Sequence, residues 1–145
     1  MLRRCFVDNN VLFLFAAILI VAGLLLVMII FTKGGEKRLN QDKFRSRWLS
    51  IESSLKKDQE ASFSLSVINA DKLVDQAMRD LGIKGQTMGD RLKNSGEKFS
   101  SKNSVWSAHK LRNQIAHETE VQVSYDSARR ALATFKQALK DLGAI

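Results

Sequence analysis

The 145-residue chain contains no proline and a single cysteine, Cys5. One thiol excludes a disulfide framework or a cysteine-based zinc site within one chain. The His-Glu-x-x-His helix of metalloproteases is missing, and the carboxylates are scattered without the convergence that hydrolytic acid/base work needs. The glycines of Gly82-Ile83-Lys84-Gly85-Gln86 lack the Lys-Ser/Thr that completes a phosphate loop, and no strand precedes them. Apolar/polar alternation is confined to residues 121–125, and no internal repeat is present. What remains is helical periodicity, and the expected fold class is all-α.

Charge is absent from residues 11–32, an unbroken apolar run. At ~1.5 Å per residue it reaches about 33 Å, enough for a hydrocarbon core of roughly 30 Å, so a transmembrane helix is expected. The run is longer than the core of a signal peptide, and no small-residue cleavage pattern follows it. Arg3, Arg4 and Asp8 precede it, whereas Lys33, Lys37, Arg38, Lys43, Arg45 and Arg47 follow closely. The positive-inside bias then turns residues 1–10 outward and places the rest in the cytoplasm of a single-pass inner-membrane protein. Cys5 is an incidental thiol near the membrane surface, with palmitoylation left open.

Residues 33–145 hold 21 of the 23 Lys and Arg and 14 of the 15 Asp and Glu, leaving +7 on that part. Such a charge suits anionic lipid head groups or nucleic acid and does not choose between them. Residues 33–60 read as a basic juxtamembrane linker and amphipathic helix, in which Phe44, Trp48, Ile51 and Leu55 form a stripe. Its basic first half suits anionic lipid, while the stripe suits packing into a bundle. Residues 61–145 read as the helical domain proper.

The most apolar segment of that domain, residues 61–81, carries Phe63, Val67, Ala70, Val74, Ala77 and Leu81 in one stripe. Leu65, Ile68, Leu73 and Met78 widen it, which predicts a central helix. Asp71 interrupts it and is positioned to brace a basic site residue or to reach solvent. Thr87 is the expected N-cap of a short helix through Met88 and Leu92 as far as Phe99, and Asn103 or Ser104 the cap of the next. A last helix begins near Ser124, with Ala128, Ala131, Leu132, Phe135, Ala138, Leu139 and Leu142 on one face and Gly143 closing it. Four or five helices therefore follow the membrane segment.

The chemically distinctive stretch is Arg112-Asn113-Gln114-Ile115-Ala116-His117-Glu118, at the end of the penultimate helix. At ~100° per residue, Val105, Ala108, Leu111 and Ile115 share one side, and Trp106, Lys110, Asn113 and His117 the other. Trp106 on that second side marks a groove or partner surface, or a ring covered by a loop. Arg112 and His117 diverge by about 140°, so a common target requires the helix to end early, the arginine to wrap round, or two copies to pool their residues. The last is favoured, since a membrane anchor concentrates partner chains in a plane. His109 lies one turn before Asn113, as a supporting or surface residue. No metal is expected there.

Arg112-Asn113-x-x-x-His117 resembles the Arg-x(4 to 6)-His signature of HEPN domains, including the polar residue after the arginine. The position of the motif on the penultimate helix of an all-helical domain, over roughly residues 60–143, is also similar. The resemblance implies a four- to five-helix HEPN-like bundle, a homodimer with facing motifs, and a metal-independent endoribonuclease that needs no cofactor. By position, Arg112 and His117 are the catalytic pair and Asn113 the adjoining polar residue. Trp106, Lys110 and His109 stand around them as candidate binding residues. Thr119 stands where antitoxin-modified relatives carry tyrosine, and Glu118 and Glu120 add negative charge that Lys110 would offset.

The chemistry is consistent with the residue types. RNA is cut without metal when its 2′-hydroxyl attacks the adjacent phosphorus, which calls for a proton carrier near neutral pH and a cation on the phosphate. Imidazole suits the first role and a guanidinium fork the second. The competing expectation is a non-catalytic helical scaffold whose basic helix and Trp106 face recruit a protein partner or anionic lipid.

Overall fold

A computed structural model of the chain describes residues 9–32, 38–118 and 121–145. The chain divides into two compact units, Met1–Glu36 and Lys37–Ile145. In the first, helix α1 (Asn9–Thr32) contains the apolar stretch Val11–Ile30, long enough to cross a membrane. Its side chains carry no charge, and Leu12, Phe13, Leu19 and Ile30 are all more than 60 % exposed. A helix satisfies its own backbone polar groups, so such a surface suits hydrocarbon better than water.

The second unit is all-helical among the described residues: α2 (Gln41–Ser54), α3 (Glu60–Asp80), α4 (Met88–Asn94), α5 (Lys102–His117) and α6 (Tyr125–Asp141). As its apolar breadth predicts, α3 is central and packs against each of the other four. Phe63, Val67, Ala70, Leu73, Val74, Ala77 and Met78 are buried on it, and Leu81 is half-buried. Leu65 differs from the expectation and stays exposed. It lies two residues from both Phe63 and Val67, about 200° round the helix, and so faces away from the core.

The amphipathic stripe of α2 is spent on this core: Phe44, Trp48 and Ile51 are buried, while Lys43, Arg45 and Arg47 are exposed. On α6, Ala128, Ala131, Leu132, Phe135, Ala138 and Leu139 are buried as expected. Burying a side chain the size of Phe135 or Leu139 stabilises the fold by roughly 1.5–3 kcal/mol before entropy is counted.

Local chemistry sets the ends. Thr87 accepts from the Asp90 backbone N–H while the Asp90 carboxylate accepts from the Thr87 backbone N–H, a capping box that fixes the start of α4. Ser124 caps α6 through the Ser127 N–H, and Gly143 (φ +69°) ends it. Two boundaries differ from the sequence reading. Helix α4 stops at Asn94, and Phe99 is buried from the loop beyond. Helix α5 starts after Ser101, whose hydroxyl pairs with the Ser104 hydroxyl and makes no capping hydrogen bond to the backbone.

Candidate functional site

Asp71 is the polar interruption in the apolar run of α3, and packing of α5 on α3 buries it to 2 % exposure. A carboxylate so placed requires partners. It finds two on consecutive turns of α5. Oδ1 lies 2.8 Å from His109 Nδ1, and Oδ2 lies 3.4 Å from Arg112 Nε. The arginine contact is an ion pair without hydrogen-bond alignment, for Arg112 Nε is buried and makes no hydrogen bond. Arg112 turns its other end outward: Nη1 donates to Asn113 Oδ1 at 3.0 Å, and the Asn113 amide Nδ2 stands 3.2 Å from His109 Nε2.

These four side chains form a closed ring, and donor counting gives it a direction. A guanidinium only donates, so Asn113 presents its oxygen to Arg112 and its NH2 to His109. His109 Nε2 must then accept, which leaves the proton on Nδ1, where the Asp71 carboxylate receives it. The chain of donors runs Arg112 to Asn113 to His109 to Asp71. Turning the Asn113 amide would set two donors face to face at Arg112 and, with the His109 proton on Nδ1, two acceptors face to face at His109 Nε2.

The ring borders a cleft of about 650 Å³ whose walls include Lys72, Arg79, Trp106, Arg112, Asn113 and His117. His117 is the last residue of α5, exposed and without a hydrogen-bond partner among the described residues. Although it diverges from Arg112 on an ideal helix, one copy of the chain brings both to this cleft. Trp106 is half-buried, edge-on to His109 with ring centroids 6.0 Å apart. A side chain on Gly89 of α4 would touch its ring, so the tryptophan that lines the cleft is backed by α4.

Electrostatically the wall is mixed. Asp75 pairs with Arg91 at 2.7 Å and with Arg79 at 3.5 Å, whereas Lys72 is exposed with no ion-pair partner among the described residues. Lys110 is exposed on α5 and does not line this cleft. Thr119 and Glu120 lie outside the described residues. Among the described residues no group of three or more His, Cys, Asp or Glu is placed to hold a metal ion.

The arrangement therefore brings together Arg112, Asn113, His117, His109 and Trp106, and separates Lys110 from them. The sequence offered Asp71 as a brace for a basic site residue and His109 as a supporting or binding residue, but did not pair the two. The signal for the pair is a carboxylate within an apolar helical run and a histidine four residues before Asn113. The arrangement sets a guanidinium backed by a buried anion on the same cleft as an exposed imidazole at a helix end. No protein-family model, curated protein or solved structure matches the chain.

Proposed function

We propose that this is a membrane-anchored HEPN-like protein that binds and cleaves RNA at the cytoplasmic face, as a homodimer and without a metal. The observation that carries the reading is the presence of Arg112 and His117 on one cleft with Lys72, a cation that has no ion-pair partner among the described residues. Arg112 clamps the non-bridging phosphate oxygens through the N–H groups not used on Asn113. His117 takes the proton of the 2′-hydroxyl as that oxygen bonds to phosphorus. The P–O5′ bond breaks, and an imidazolium protonates the departing 5′-oxygen. The products are a 2′,3′-cyclic phosphate and a 5′-hydroxyl. A second copy facing the first supplies the other histidine of an acid/base pair.

The test is incubation of the full chain, in detergent or nanodiscs, with single-stranded RNA in the presence of chelator. Arg112→Ala and His117→Ala each abolish cleavage on this reading. Cleavage that survives both substitutions overturns it. A wild-type chain that does not cleave RNA but captures anionic vesicles or a protein partner through the exposed residues of α2 supports the scaffold function instead. The exposure of Lys43, Arg45 and Arg47 favours that second reading.

A further inference from the structure

We propose that Asp71 and His109 are positioning residues that aim the Arg112 guanidinium into the cleft through Asn113, an inference that rests on reading Arg112 as the phosphate clamp. Three facts carry it. Asp71 and His109 are both buried, at 2 % and 7 % exposure, whereas Arg112 and Asn113 are half-buried at the same cleft. Each ring contact is within hydrogen-bond or ion-pair distance, from 2.8 Å to 3.4 Å. The donor direction is unique, since the guanidinium has no acceptor with which to reverse it.

The consequence is orientational. Asp71 fixes the His109 tautomer, His109 Nε2 fixes the Asn113 amide, and the Asn113 oxygen holds Arg112 Nη1. Asp71 Oδ2 anchors the Nε side of the same guanidinium. With Nε and Nη1 held, Nη2 has no partner among the described residues and is the donor left for a phosphate oxygen. A planar fork held at two corners cannot rotate its third away from the cleft, which is the pre-organisation a phosphate clamp requires.

The chain has two histidines, so ¹⁵N-histidine NMR of the full protein in detergent resolves both, with His117 as the reference. Wild type shows His109 protonated on Nδ1 and bare on Nε2. Asn113→Asp keeps the acceptor for Arg112 but places a carboxylate at Nε2, which then gains a proton while His117 is unchanged. In RNA cleavage, Asp71→Asn keeps the acceptor for His109 but loses the anion behind Arg112, and kcat falls on the order of 10²-fold. His109 carrying its proton on Nε2 in the wild type, or no change in Asn113→Asp, overturns the proposal. So does unaltered kcat in a folded Asp71→Asn protein. If Asp71→Asn fails to fold, the Asn113→Asp spectrum decides. Wild-type protein with the expected tautomer but no RNA cleavage overturns the RNA reading and leaves the hydrogen-bond chain intact.

Discussion

Asp71 holds Arg112 from the core side of the cleft: the carboxylate is buried on α3, and the guanidinium it faces on α5 is about a quarter exposed. The cation of the motif is thus neither a free surface charge nor an ordinary ion pair. Its anion is sealed in the bundle while its own edge reaches the cleft. The same carboxylate accepts from His109, so one residue of the central helix supports two turns of the helix that carries the motif.

Asp71→Ala leaves a buried imidazole N–H without its acceptor and a guanidinium without its counter-ion. Removing one partner of a buried charged network costs about 3–5 kcal/mol, and the partial exposure of Arg112 puts the expected loss near the lower figure. Urea unfolding followed by circular dichroism measures it. A loss below about 1 kcal/mol would show that the ring contributes little to the fold.

Gly85→Ala disturbs the cleft from its other wall. Gly85 has φ +157°, and a Cβ there would lie 2.6 Å from the Arg91 backbone nitrogen, which cannot move without moving α4. The Gly85 carbonyl also accepts from Arg91 Nη1. Destabilisation of about 1–3 kcal/mol is expected, the usual range for a residue forced into a strained backbone region. Because α4 backs Trp106, tryptophan fluorescence shifts with it. An unchanged melting midpoint and spectrum would contradict this account.

Acid weakens the fold through two helix-end carboxylates. Partial burial pushes the Asp141 carboxyl up, but the Ser100 N–H, the Gln137 amide and the Ser100 hydroxyl outweigh it and hold the group below 3.8. The Thr87 hydroxyl and N–H hold Asp90 down in the same direction. A folded-state value below the unfolded one gives stability that is whole above the unfolded value, near 4, and is lost as pH falls through the folded value. Urea midpoints measured from pH 7 to pH 2 therefore drop below about pH 4. Thr87→Ala lowers stability at neutral pH by about 1 kcal/mol, the usual worth of an N-cap, and flattens the acid limb. A midpoint that rises on acidification reverses the sign and rejects the assignment.

Cys5 reports on orientation. If residues 1–10 face outward, a membrane-impermeant maleimide labels this single thiol in intact cells. Labelling that requires lysis places the N-terminus inside and moves the helical unit to the opposite face.

Much of the fold is legible in the residues themselves. The stripes at Phe44, Trp48 and Ile51, at Val67, Ala70 and Val74, and at Leu132, Phe135 and Leu139 repeat with the helical period, and each is buried. Thr87 and Ser124 cap helices as their hydroxyls suggest. These are local properties, decided within one or two turns. Leu65 shows the limit, since hydrophobicity alone does not say on which side of a helix a residue stands.

The candidate site divides in the same way. Sequence by itself determined that Arg112, Asn113 and His117 fall in the last turns of one helix, that an uncharged run precedes the basic part of the chain, and that no second thiol is present. Tertiary structure alone decided that His109 is buried, that Lys110 stays outside the cleft, and that the partner of Arg112 is Asp71, about forty residues away. The reason is physical: spacing along a helix fixes which side chains are neighbours on its surface, but a buried carboxylate takes its partners from whichever helix packs over it.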